Sequence, residues 1–183
     1  VYCEDALWVD EIQDEMYLAA VMDGCTMGKE SHFAASLVVK LLRKTVKNIG
    51  YLAWTDSHHP MNHRDIGALG KEIWEALFVD LRQAAQALFL EPEELLTTLN
   101  LCLVDAKQDS VWHMIVGDGF SAVAGEVIDW DQDNKPDYLG YHLGESFEFW
   151  FENQKQIRSY EGVKSFAIAS DGVDAFENLD KRS

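Results

Sequence analysis

The chain is short of basic residues, of cysteine and of long apolar runs. Fifteen lysines and arginines stand against 32 aspartates and glutamates, a formal net charge of −17 over 183 residues. Such a surface repels nucleic acid and anionic membrane leaflets, so neither is expected as a partner. Cysteine occurs only at Cys3, Cys25 and Cys102. An odd count without a CxxC pair argues against a zinc ribbon or a redox motif, and for a reducing, cytoplasmic setting. No apolar run approaches the length of a membrane span, and the first residues are acidic rather than signal-like.

What is present is material for a core. The chain is 48% hydrophobic and 11% aromatic, which suits one domain over residues 1–183. Val1 falls inside an apolar, strand-like stretch, so further residues are expected before it.

Residues 1–9 and 16–22 are rich in β-forming types, with the acidic stretch 10–15 as the turn between them. Phe33, Leu37, Leu41 and Val38, Leu42, Val46 recur at helical spacing and predict a helix over about 30–47. Ile73, Leu77, Leu81 and Leu88 predict a second over about 69–88, and 55–65 reads as a loop. A period of two returns from Thr97, where Leu99, Leu101 and Leu103 alternate with Thr98, Asn100 and Cys102. Strands are expected there, over 111–116, 121–128 and 166–169, and near 138–143 and 147–151. Short turns make neighbouring strands antiparallel, and the helices fall together between two strand groups. The fold class is therefore α+β with antiparallel sheets, not alternating βαβ.

Three segments share one design, an apolar strand running into aspartate and glycine. They are Ala20-Val21-Met22-Asp23-Gly24, Ile115-Val116-Gly117-Asp118-Gly119 and Ala167-Ile168-Ala169-Ser170-Asp171-Gly172. One such pair is an ordinary turn signal. Three at the ends of core strands form a set, in which a buried strand fixes the acid and glycine lets the backbone turn sharply. Glu4 and Asp5 add a charged pair within the first strand, costly unless something positive meets it. Hard oxygen donors of this kind suit Mg²⁺ or Mn²⁺ rather than zinc.

The motifs CEDALWV, VMDG, VGDG and FAIASDG, in this order, resemble those of the type 2C family of metal-dependent serine/threonine protein phosphatases. The resemblance spans nearly the whole chain and is weakest between about residues 49 and 95. It implies a central β-sandwich of two antiparallel sheets flanked by helices on both outer faces, in α-β-β-α layers. It also implies phosphoprotein substrates and two Mn²⁺ or Mg²⁺ ions, with a third in some relatives. Carried over by motif, Asp23 bridges the two ions. The Glu4 side chain and the Gly24 carbonyl complete the protein ligands of one ion, and Asp171 binds the other. Asp5 orients ligands or water behind them, and Asp118 matches the aspartate that helps hold the third ion. The reaction implied is hydrolysis of phosphoserine or phosphothreonine monoesters by a metal-activated water, with Asp5, Asp23 and Asp171 as the catalytic set.

The chain also departs from the family pattern. Cys25-Thr26-Met27-Gly28 follows Asp23-Gly24 where relatives carry a further paired glycine. Cys25 stands where some relatives place a histidine that protonates the leaving alcohol, which leaves that task to water. The family's phosphate-binding arginine precedes the Glu-Asp pair and its last metal-binding aspartate follows the SDG strand at a distance. Both are expected outside residues 1–183. These departures motivate a second reading, a phosphatase-like binding or scaffolding module. Two other clusters are read as structural. His58, His59 and His63 lie in the predicted loop with no helix to align them. Asp129, Asp131 and Asp133 mimic a calcium loop, but Asn134 and Gly140 replace its glycine and glutamate, so a hairpin turn is expected.

Overall fold

In the computed structural model, which describes residues 4–25, 31–130 and 137–175, the chain opens on a hairpin of β1 (Asp5–Gln13) and β2 (Met16–Asp23). Asp14 and Glu15 close it at φ 51° and 65°. Two left-handed residues give a turn whose twist matches the strands it joins. The expected turn over 10–15 is thus confined to two residues. Asp10, Glu11 and Gln13 continue β1, an edge strand, with their side chains in water, where the charge costs little.

β2 pairs with β3 (Leu99–Asp105), β3 with β4 (Ser110–Val116), and β4 with β7 (Ile157–Glu161). The result is a five-stranded antiparallel sheet, β1-β2-β3-β4-β7. A three-stranded antiparallel sheet, β6-β5-β8, is built from β5 (Phe120–Val123), β6 (Glu126–Asp129) and β8 (Phe166–Ala169). The segment expected to form one strand over 121–128 is a hairpin, because Ala124 and Gly125 take φ 50° and 90° and reverse the chain.

Alternation along the strands separates two buried layers. Trp8, Leu18, Ala20, Met22, Leu101, Leu103, Trp112 and Met114 share one cluster with the apolar faces of α1 (Ser31–Thr55) and α2 (Ile66–Leu88). Each fully buried side chain of this size contributes roughly 1.5–3 kcal/mol. The alternate residues Asn100, Cys102, Val111, His113 and Ile115 are buried toward the three-stranded sheet. Helix α1 runs past residue 47 because Val46, Ile49 and Ala53 prolong its buried stripe. Asp65 starts α2 early by accepting the Ala68 N–H at 3.0 Å.

The strands expected near 138–143 and 147–151 are helical instead. Ser146 accepts the Phe149 N–H at 3.2 Å and starts α3 (Phe147–Glu152). Phe147 and Trp150, three apart, are buried, with Phe147 against Phe78 and Trp150 against Trp74 at ring-centroid distances of 5.7 Å. Phe149 is 62% exposed. Aromatic content suggests β here, but the burial spacing is helical. Leu139–His142 is a 3-10 turn. β7 has no counterpart among the expected strands, since an exposed edge strand lacks an apolar alternation to reveal it. The α+β sandwich expected from the sequence is the fold observed. Among the described residues no helix is long and apolar enough to cross a membrane.

At the β1–β2 turn end of the sheet, Arg64 clamps fully buried Asp105 with two bonds, Nε to Oδ2 at 2.6 Å and Nη2 to Oδ1 at 2.5 Å. Nη2 also donates to the Asp14 carbonyl at 3.2 Å. Burial pushes the Asp105 carboxyl up, but the Arg64 bond and the Gln108 and Lys107 amides outweigh it and hold it below the usual carboxylate range. Arg64→Met strands a buried charge and is expected to cost about 3–5 kcal/mol. An unchanged urea midpoint in that variant would show the clamp to be idle.

Candidate metal centre

Register assembles the site at the other end of the sandwich. Asp5 is the Cα partner of Asp23. The β2–β3 pairing of Val21 with Asn100 and the β3–β4 pairing of Leu99 with Val116, each continued to the strand ends, bring Thr98 beside Asp23 and Gly117 beside Thr98. Hydrogen bonds fix this row. The Thr98 N–H donates to the Asp23 carbonyl at 2.8 Å. The Asp23 N–H donates to Thr98 Oγ1 at 3.1 Å, and Thr97 Oγ1 donates to the Asp23 carbonyl at 2.9 Å. Gly24 continues the sheet as a bridge to Thr97, its N–H donating to the Glu4 carbonyl at 3.2 Å. Of the sharp glycine turns expected after the aspartates, the one at Asp118 is present, where Gly117 and Gly119 take φ 94° and 144°, whereas Gly24 stays in the sheet. A Cβ at Gly117 would lie 2.8 Å from Thr98 Cγ2.

Asp171 arrives from the opposite sheet, at the end of β8, and β8 touches both β2 and β3. The side chains of Asp171 and Asp5 lie close enough to the Asp23 carboxyl to raise it. Burial first, then hydrogen bonding of the protonated Asp23 carboxyl toward Asp171 and the charges of Asp5 and Asp171, push the Asp23 carboxyl up to about 8. Without a cation beside it, the Asp23 carboxyl therefore keeps its proton near neutral pH. Among the described residues no three His, Cys, Asp or Glu side chains are splayed as a ready-made metal cage. The acids face one another instead. Their donor chemistry is all hard oxygen, which fits Mg²⁺ or Mn²⁺, and an ion there would replace the Asp23 proton.

Of the other sequence-expected residues, Glu4 is tied in through its backbone, as described. Asp118 lies within electrostatic reach of Tyr138, whose hydroxyl also feels the Cys25 thiol next to Gly24. Burial first, then Cys25 and the charge of Asp118, push the Tyr138 hydroxyl well up, so it remains a proton donor. Tyr138 was not anticipated because its partners are far away in sequence. Thr97 and Thr98 were read only as strand residues, and the clue available was two hydroxyls placed to meet the end of β2. The histidine cluster has structural duties. His59 Nδ1 accepts the Met61 N–H at 3.2 Å, so Nε2 donates to Glu72 at 3.0 Å, and the rings of His58 and His63 stack at 6.3 Å. Asp131 and Asp133 lie outside the described residues.

Known structures share this architecture. A mutant bacterial serine phosphatase superposes with a TM-score of 0.62 at 17% identity, covering 98% of this chain and 74% of that one. The serine/threonine phosphatase Stp1 from Staphylococcus aureus gives 0.56 at 15%, covering 98% and 74%. The phosphatase domain of SpoIIE from Bacillus subtilis, with a fragment of its regulatory domain, gives 0.55 at 19%. There the match covers 97% of this chain but only 45% of that one, so the chain spans less than half of that structure. At such identities the likeness speaks for the fold alone. No curated protein sequence matches the chain. The family model described as Protein phosphatase 2C matches residues 1–183, and the chain belongs to that family.

Proposed function

We propose that this chain hydrolyses phosphoserine and phosphothreonine monoesters in proteins at the Asp5–Asp23–Asp171 cluster, with Mn²⁺ or Mg²⁺ as cofactor. The observation that carries the reading is the meeting of acids from both sheets, with the Asp23 carboxyl driven up to about 8 by burial and by its acidic neighbours. Asp23 and Asp171, with Glu4 and the Gly24 carbonyl, would hold two ions, and Asp118 would serve a third. Bound there, the ions would supply positive charge to the phosphoryl oxygens and lower the pKa of a water poised to attack.

The chain's own residues have distinct tasks in this reading. Asp23, pinned through its backbone by Thr97 and Thr98, keeps its carboxylate at a fixed place in the row. Asp171 closes the site from the second sheet, and Asp5, the strand partner of Asp23, orients it from β1. Cys25 occupies a place filled by histidine in some relatives, so the departing alcohol takes its proton from water. Cys25 is also what favours the second reading, a phosphatase-like binding module. The two separate in one assay. The full-length protein, supplied with Mn²⁺ and a phosphoserine peptide, is expected to release inorganic phosphate. Tight peptide binding with no release would leave the binding module.

A further inference from the structure

Asn100 lies on β3, faces the three-stranded sheet and is 1% exposed. Its Nδ2 donates one hydrogen to the Phe120 carbonyl at 2.9 Å and the other to the Ala169 carbonyl at 3.2 Å. Phe120 and Ala169 are Cα partners in the β5–β8 pairing. Phe120 directly follows Asp118-Gly119, and Ala169 directly precedes Ser170-Asp171. One amide therefore reaches from the five-stranded sheet to both acid-bearing turns at the edge of the other. It does so from a position on β3 paired with Val21, two residues before Asp23.

The amide cannot turn over. Its Oδ1 accepts from His113 Nε2 at 2.7 Å. Reversal would set that oxygen against two carbonyl oxygens and face the imidazole N–H with another donor. The same bond fixes His113 as the Nε2–H tautomer, so Nδ1, which has no partner among the described residues, is a bare acceptor and not a stranded donor. The imidazole is fully buried between Trp130 and Phe166, at centroid distances of 5.5 and 5.3 Å. Burial pushes it down to about 4, so it stays neutral as the pH varies around 7. Gly119 permits the approach. A Cβ there would lie 2.8 Å from the Ala169 carbonyl oxygen and 3.5 Å from Asn100 Nδ2.

We propose that Asn100 is a positioning residue for the acid cluster: by holding the end of β8, its amide sets where the Asp171 carboxylate stands relative to Asp23 and Asp5, and it locks that placement to the Asp118 turn. The inference rests on the metal-dependent reading above. Packing alone does not account for the geometry, since an apolar side chain would fill the space without gripping the two carbonyls.

Asn100→Leu keeps the volume and withdraws both donors. With the protein folded by near-UV circular dichroism, Mn²⁺ is expected to bind about ten- to a hundredfold more weakly by calorimetry. On a phosphopeptide, kcat is expected to fall while KM moves little. Gly119→Ala sets a methyl 2.8 Å from the same carbonyl oxygen and leaves the Asn100 side chain unchanged. It is expected to weaken Mn²⁺ binding in the same direction, and it decides the question if Asn100→Leu does not fold. Unchanged Mn²⁺ affinity in the folded variant overturns the proposal and leaves the metal-dependent reading standing. A wild-type protein that binds no Mn²⁺ removes that reading, and the proposal with it.

Discussion

Asp23→Asn is expected to abolish phosphate release while making the metal-free protein more stable. Asparagine keeps the shape of the side chain and the backbone bonds to Thr97 and Thr98, but removes the carboxylate that both sheets converge upon. Loss of a bridging ligand is expected to cost at least about a hundredfold in turnover, ~2.7 kcal/mol of barrier. The stability effect has the opposite sign, for a reason visible in the cluster. Burial and the neighbouring Asp171 and Asp5 raise the folded-state Asp23 carboxyl to about 8, far above its value in an unfolded chain. The stability that this protonated carboxyl contributes is fully present below the unfolded value, near pH 4. It is lost progressively as pH rises through the window up to about 8. The asparagine variant has no such loss. Thermal melts in chelator, at pH 5 and pH 8, are expected to show wild type losing more stability than Asp23→Asn over that range. Parallel losses in the two proteins would mean that Asp23 is not strained by its neighbours. A gain in stability together with a loss of turnover is the pattern of a site maintained for function.

Removing the metal is the second large effect. Phosphate release is expected to fall to background in excess chelator and to return with Mn²⁺ or Mg²⁺. Because an ion must displace the proton held by Asp23, the Mn²⁺ concentration giving half-maximal rate is expected to rise as pH falls from 8 to 6. Release that persists in chelator, or that only Zn²⁺ restores, would contradict a centre made of carboxylates.

Asp23, Asp118 and Asp171 were legible because each is announced locally: a strand-length apolar run, an aspartate, a glycine. What holds them was not. Asn100 sits in an alternating stretch with Leu99, Leu101 and Leu103 and looks like the wet face of a half-buried strand. The second sheet dries that face, and the polar side chain becomes a buried connector to Phe120 and Ala169. Alternation shows that a strand has two faces and not whether a partner sheet covers the polar one. Thr97, Thr98 and Tyr138 were hidden for a related reason, since each acts through a residue distant in sequence. The aromatic run at Phe147–Glu152 misled in the other direction. Its β-like composition competes with an i, i+3 spacing and a serine cap that were both present in the sequence. At Asp14-Glu15 and Ala124-Gly125 the chain reverses at left-handed residues that composition marks only weakly.

The central claim is that Asp23 anchors a divalent-metal centre shared by the two sheets, and Mn²⁺ calorimetry at pH 8 on wild type and Asp23→Asn tests it most directly. The account predicts saturable binding with proton release in wild type and its loss in the variant. Identical isotherms for the two proteins, or no binding by wild type while phosphate release continues, would contradict it.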